Sequence, residues 1–161
     1  MNFIDIEVSA AGVIAGAAYG KIKLGVDYVL LKTVHTNSGF DASVFINSNE
    51  KKIWIGVAGT NKYSEDMLAW FNLLSDNSLN NQHYIDAIKF GDSLNKEIQA
   101  NPLYSDYSIK VSGHSLGVFE AQILSYVFRW SGWGIDGPGA YGLIKTDGFG
   151  KALRDLHIIP E

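Results

Sequence analysis

Residues 108–128 read SIKVSGHSLGVFEAQILSYVF and change from a strand pattern to a helix pattern within five residues. The first four residues are typical of a β-strand, and the residues from Gly117 onward place apolar side chains at helical spacing. Only Gly-His-Ser-Leu-Gly separates the two patterns, so the chain turns from strand to helix without a loop. Ser115 lies at this corner, with Gly113 and Gly117 two residues away on either side. The pattern therefore predicts a strained turn that presents a serine hydroxyl.

Glycine is expected at both positions on steric grounds, because a Cβ atom at either one would crowd a tight turn. The helix that follows directs its positive end and its first N–H groups toward the region of Ser115, where negative charge could be stabilised. An ordinary glycine-bounded strand–helix turn is the alternative interpretation. The strand before Ser115 and the helix after it are the context that a nucleophilic serine requires, and they favour the chemical interpretation.

The remaining periodicity predicts an α/β domain. Helices are predicted at 10–23, 64–74, 81–100 and 117–129, and strands at 39–47, 53–59, 107–112 and from 132 onward. The strands at 39–47 and 53–59 are separated by a short turn and predict a hairpin. After Ala140 the pattern indicates one short helix at most and a final strand in LHII. This order predicts a mostly parallel sheet with helices on both faces, entered by an N-terminal antiparallel hairpin.

Composition excludes several classes of protein. Of the 161 residues 47% are hydrophobic and 19% charged, which is enough apolar material for the core of one domain. The net charge is −4 and the 13 basic residues are scattered, which argues against nucleic-acid binding. The absence of cysteine excludes disulfides and thiol catalysis. The first seven residues lack Lys and Arg, so we expect a cytoplasmic protein or one exported without a recognisable signal peptide.

The stretch VSGHSLG (111–117) with its following helix resembles the nucleophile elbow of the fungal-type (class 3) lipases, although Val118 stands where that family usually has a second glycine. Upstream, IWIGVAGTNKYSEDMLAWFNLL (53–74) is similar to that family's buried strand, turn and Asp-Trp helix, with Ala58 in place of the usual arginine. The likeness covers about residues 10–140. It implies an α/β-hydrolase-like fold, in a single domain over 1–161, that needs no metal or cofactor.

The resemblance also implies an oxyanion hole. A tetrahedral oxyanion needs two hydrogen-bond donors that are in place before it forms. The family's pattern assigns these to the backbone N–H groups of Leu116 and Thr60, with the Thr60 hydroxyl as a loop anchor or third donor. The alternative for Gly59-Thr60 is a plain turn at the end of a strand.

A serine nucleophile needs a base, and the base needs an orienting acid; in this fold the chain order is serine, acid, histidine. Only His157 follows Ser115 in the required order, and Asp136 ends the strand after the nucleophile helix. We therefore predict Asp136 as the acid and His157 as the base. Alternatives stay open: Asp136 as an Asp-Gly turn residue, an acid at Asp147, Asp155 or beyond residue 161, and His157 as a partly buried strand histidine.

We expect no catalytic role for the other three histidines. His114 is expected to be structural, and His35 and His83 to be solvated or capping residues. Complete fungal-type lipases are longer than this chain, which raises the hypothesis of a C-terminally truncated unit.

Two functions follow from these predictions. The first is a serine ester hydrolase of lipase or phospholipase type, acting on a lipid or other small ester with transient contact to a membrane surface. The second is an incomplete, catalytically inactive lipase-like domain that serves as a binding module or is a gene fragment.

Overall fold

The computed structural model describes residues 3–20, 24–59 and 82–158, with side chains in the first helix from Ala10 onward. Five strands form one sheet in the order β1-β2-β3-β4-β5. The strands are β1 Tyr28–His35, β2 Asp41–Asn47, β3 Lys52–Ala58, β4 Ser108–His114 and β5 Ser131–Ile135. The helices are α1 Phe3–Ala18, α2 Gln82–Ala100, α3 Gly117–Phe128, α4 Tyr141–Ile144 and α5 Asp147–Asp155, with a 3-10 turn at Pro102–Tyr104.

The sheet is mixed. β1, β2 and β3 are antiparallel neighbours, and β3, β4 and β5 are parallel. The predicted hairpin is the β2–β3 pair, in which Phe45 lies opposite Trp54. Because β3, β4 and β5 run the same way, their carboxyl ends share one edge of the sheet. The predicted fold class is confirmed, and this edge is where parallel sheets place functional residues.

Helices cover both faces of the sheet. On one face α1 contributes Ala11 and Ile14 to a buried cluster with Phe45 and Trp54. Gly56 permits this contact, because a Cβ there would lie 2.6 Å from the carbonyl oxygen of Ile14. On the other face α2 and α3 pack on the inward side chains of the strands, and the cluster includes Phe40, Val44, Ile55, Leu94, Val111 and Leu124. The alternating side chains of 39–47 thus point to two faces of the sheet that are both buried, whereas the usual alternating strand has one face in solvent.

The N-terminal part of the fold differs from prediction in two ways. The first helix begins at Phe3 and ends at Ala18, earlier than the predicted 10–23. Strand β1 was not predicted, since Val29 and Leu30 are largely exposed and its sequence lacks two-residue periodicity. The helix predicted at 64–74 lies outside the described residues.

The C-terminal prediction was wrong. Two helices follow β5 where one at most was expected, and the described part of LHII, residues 156–158, forms no strand. Thr146 caps α5 by accepting a hydrogen bond from the Phe149 amide at 3.1 Å, and Phe149 and Leu153 bury the same helix face. His157 lies in the turn that ends this helix and is exposed, so its interpretation as a partly buried strand histidine is also wrong.

None of the helices in the described ranges is both long enough and apolar enough to cross a bilayer.

A buried ion pair joins α2 to α3. The His83 Nδ1 and Glu120 Oε1 atoms are 2.8 Å apart, and the two side chains are 3% and 2% exposed. Burial acts to lower the pKa of His83, but the hydrogen bond and charge of Glu120 outweigh it and the pKa is raised. Burial raises the pKa of Glu120 even though His83 opposes the shift. The expectation of a solvated or capping His83 was therefore wrong.

We expect Glu120→Ala to lower the free energy of unfolding by about 3–5 kcal/mol, because it leaves a buried imidazole without its partner. The double variant His83→Leu/Glu120→Leu removes both polar groups and is expected to be less destabilised than Glu120→Ala. Urea denaturation measures both. A Glu120→Ala protein as stable as the wild type would contradict the importance of this pair.

Candidate active site

Ser115 occupies the corner between β4 and α3. Its φ is 55°, in the left-handed region that residues other than glycine rarely adopt, and its side chain is half-buried. The Ser115 amide donates to the Ile135 carbonyl at 3.2 Å, and the Ser115 carbonyl accepts from the Val118 amide at 3.0 Å. These bonds connect the corner to β5 on one side and to the first turn of α3 on the other. The predicted strand–turn–helix corner is present.

The flanking glycines are required by the backbone around them. A Cβ at Gly113 would lie 2.0 Å from the Gly117 carbonyl oxygen. A Cβ at Gly117 would lie 2.3 Å from the carbonyl oxygen of Val57 in β3. Any side chain at these positions would clash with main-chain atoms, which cannot move aside as a flexible side chain can. The corner is thus pressed directly against the neighbouring strand.

Gly59, the residue that follows β3, lies close to the backbone of the corner at His114 and Leu116. A Cβ on Gly59 would lie 3.0 Å from the Leu116 nitrogen and 2.9 Å from the His114 carbonyl oxygen. Leu116 is the N-cap residue of α3; its side chain makes no capping hydrogen bond and is buried. Thr60, the predicted second oxyanion donor, lies outside the described residues. Its preceding residue is beside the Leu116 amide.

Tyr19, just after α1, joins the two backbone segments. Its Oη accepts a hydrogen bond from the Gly59 amide at 2.8 Å. The same oxygen lies 3.1 Å from His114 Nδ1 and 3.3 Å from the His114 carbonyl oxygen, to either of which it can donate. Burial raises the pKa of the Tyr19 hydroxyl, which keeps its proton. Sequence reasoning did not identify Tyr19, since its partners are mostly main-chain atoms.

Asp136 directly follows β5, with φ 51° and an exposed side chain. Both of its neighbours touch the Ser115 backbone: Ile135 accepts the Ser115 amide, and a Cβ on Gly137 would lie 2.0 Å from the Ser115 carbonyl oxygen. The structure therefore brings the predicted acid and the predicted nucleophile together at adjacent strand ends. Asp155 is instead in a surface ion pair with Lys151.

His157 lies in the turn that follows α5, and its side chain is exposed. Its φ is 56°, and its amide donates to the Arg154 carbonyl at 2.9 Å. The next residue, Ile158, is buried in a cluster that also contains Leu116. Within the described part of the chain, no hydrogen bond joins the His157 ring to the Asp136 carboxylate. The same ranges contain no group of three His, Asp or Glu side chains suited to a metal ion.

Comparisons with known proteins complete this description. No protein-family model and no curated protein matches the chain. Among solved structures, a lipase from Rhizopus microsporus var. chinensis is 18% identical, with a TM-score of 0.53 over 86% of this chain and 59% of that one. Lipase II from Rhizopus niveus is 18% identical, with a TM-score of 0.59 over 86% and 64%. A triacylglycerol lipase from Penicillium expansum is 17% identical, with a TM-score of 0.51 over 73% and 52%.

The chain spans less than two thirds of the length of each of these lipases. The identities are low, so the likeness concerns the fold alone. The resemblance predicted from GHSLG is confirmed at that level: this chain has an α/β-hydrolase-like fold, the fold of the fungal lipases.

Proposed function

We propose that this protein is a serine ester hydrolase of lipase or phospholipase type, with Ser115 as the nucleophile. The observation that carries the proposal is the left-handed backbone of Ser115 at the junction of β4 and α3. Such strain persists only where surrounding structure enforces it, and it is typical of residues that act chemically. The fold shared with several lipases adds support.

In the proposed reaction the Ser115 hydroxyl oxygen attacks the ester carbonyl carbon, and the carbonyl oxygen becomes an oxyanion. The N–H groups of Leu116 and Thr60 receive that charge, aided by the positive end of α3. Tyr19 binds Gly59 on one segment and His114 on the other. By doing so it fixes the distance between the two donor-bearing segments before the substrate arrives.

The proton of Ser115 passes to His157, which Asp136 orients, and His157 then delivers it to the leaving alcohol. Water completes the cycle by hydrolysing the acyl-enzyme. His157 is the preferred base because the other histidines are engaged: His35 with Asp41, His83 with Glu120 and His114 with Tyr19. Asp136 is the preferred acid because its neighbours contact the Ser115 backbone.

The proposed substrate is a lipid or another small carboxylic ester, bound with transient contact to a membrane surface. The lipases that share this fold support the class of substrate, including one named for triacylglycerol. Turnover of p-nitrophenyl butyrate compared with turnover of emulsified triacylglycerol separates a soluble-ester hydrolase from one that acts on lipid aggregates.

Ser115→Ala is expected to abolish labelling by a fluorophosphonate probe and to lower ester turnover by about 10³-fold or more, since the nucleophile is lost. Ser131→Ala, which changes an exposed serine on β5, is the matched control and should behave as wild type. Labelling of Ser115→Ala at the wild-type level would contradict the proposal. Labelling of the wild type without turnover would favour an elbow that lacks its base.

Gly59→Ala is expected to lower kcat by about 10²-fold, the effect of disturbing one oxyanion donor. The added methyl group would lie 2.8 Å from Tyr19 Oη and 3.0 Å from the Leu116 nitrogen. Gly25→Ala is the matched control, because no atom lies within 4 Å of the added methyl group. Steady-state kinetics with p-nitrophenyl butyrate give the comparison; equal kcat values for the two variants would argue against an oxyanion hole at this place.

His157→Asn is expected to lower kcat/KM by about 10³-fold, because Ser115 loses its general base. His35→Asn serves as the control, since His35 is exposed and paired with Asp41 on the surface. Ester hydrolysis by His157→Asn at the wild-type rate would assign the base elsewhere.

A further inference from the structure

The side chain of Gln122 binds the loop that carries Asp136. Gln122 is in α3, seven residues after Ser115 (122 − 115 = 7). Its Nε2 donates to the Pro138 carbonyl oxygen at 3.2 Å, and its Oε1 accepts from the Ala140 amide at 2.9 Å. Both ends of the carboxamide are therefore used by one short segment, residues 136–140, which we call the acid loop.

The acid loop is held at its beginning as well. Ile135, the last residue before it, accepts the Ser115 amide at 3.2 Å, and Gly137 is in close contact with the Ser115 carbonyl oxygen. Asp136 lies between these contacts in the left-handed region, a conformation that Asp tolerates better than most residues but still at an energetic cost. Two anchors, one at the elbow and one at Gln122, thus enclose Asp136.

The sequence of the acid loop explains why a second anchor matters. Asp136-Gly-Pro-Gly-Ala140 contains two glycines, which leave the backbone many alternative conformations. Pro138 has no N–H group, so its carbonyl oxygen is its only main-chain hydrogen-bonding group. The Asp136 side chain is exposed, Pro138 is half-buried and the two glycines have no side chain, so side-chain packing holds little of the loop before Ala140. Without the carboxamide, the far end of the loop would lose two of its hydrogen bonds.

We propose that Gln122 is a positioning residue of the proposed catalytic site: it holds the acid loop so that Asp136 stays at the carboxyl end of β5, where its carboxylate is to orient the histidine base. The proposal rests on the hydrolase function proposed above and deepens it. Gln122 acts only through Asp136 and contacts no reacting group. Because Gln122 and Ser115 belong to one helix and its preceding turn, the nucleophile and the acid are tied to the same rigid element.

The test replaces Gln122 by Met, which has nearly the same length and no hydrogen-bonding amide. Gln99→Met is the matched control, an exposed glutamine on α2 with the same substitution. Hydrogen exchange of the Ala140 amide is expected to be about 10-fold faster in Gln122→Met, as for the loss of one hydrogen bond, and unchanged in Gln99→Met. Wild-type exchange of Ala140 in Gln122→Met would overturn the proposal.

Kinetics decide whether the loop contact serves catalysis. Gln122→Met is expected to lower kcat by about 10- to 100-fold with KM unchanged, the effect of a misplaced catalytic group. In an Asp136→Asn background the same substitution is expected to have no further effect, because its influence passes through the carboxylate. An equal loss of kcat in both backgrounds would overturn the proposal.

Two further results separate the possible failures. A wild-type protein that neither labels at Ser115 nor hydrolyses esters overturns the proposed function and the catalytic role of Gln122 together, whereas Ala140 exchange still reports whether Gln122 holds the loop.

If Gln122→Met does not fold, as judged by circular dichroism, Gln122→Glu replaces it. Glutamate keeps the acceptor for the Ala140 amide and loses the donor to the Pro138 carbonyl. The Ala140 exchange rate and kcat are therefore expected to lie between the wild-type values and those for loss of both hydrogen bonds. Wild-type values of both quantities would overturn the proposal.

Discussion

The contact between the corner at Ser115 and the end of β3 is made by main-chain atoms, and the remainder of the candidate site depends on it. Gly117 lies so close to the Val57 carbonyl that a Cβ has no room, and a Cβ on Gly59 would lie 2.9 Å from the His114 carbonyl oxygen. Close backbone approach of this kind can only be achieved with glycine at the contact. As a result Gly59, the residue after β3, and the amide of Leu116, the N-cap of α3, are placed next to each other, although 57 positions separate them in the chain (116 − 59 = 57).

The N-terminal helix contributes to this arrangement through one polar residue. Gly56 lets α1 approach the sheet closely, and Tyr19 follows at the end of that helix. Its hydroxyl then binds Gly59 and His114, the residues at the ends of β3 and β4. Most residues of this helix are apolar or small, yet the N-terminal segment has two effects. The helix covers one face of the sheet, and Tyr19 after it sets the spacing of two backbone segments at the candidate oxyanion hole.

Sequence patterns predicted the parts of this molecule that are determined locally. The hairpin follows from the alternation in 39–47, and the elbow follows from a strand, two glycines and a helix within one short stretch. The parts that failed depend on long-range contacts. LHII was expected as a strand from its apolar residues, but Phe149 and Leu153 pack in a cluster with the distant Tyr84, and the helix that carries them runs up to Asp155. Tyr19 and Gln122 bind backbone atoms, which have no signature in the sequence, so neither was found.

The side chains of helix α3 make their contacts in different directions, so the contact with α2 and the contact with the acid loop lie on different sides of the helix. Successive residues of a helix are rotated by about 100°, so Glu120 and Gln122 project to nearly opposite sides, whereas Leu116 and Glu120 are one turn apart. Glu120 binds His83 of α2, Leu116 is buried in the adjoining apolar cluster, and Gln122 holds the acid loop. Loss of Glu120 therefore weakens the contact between two helices, while loss of Gln122 releases a surface loop and leaves the core intact. The two sides of one helix therefore have different roles in the fold: Glu120 on one side connects α3 to α2, and Gln122 on the other connects α3 to Pro138 and Ala140 of the acid loop.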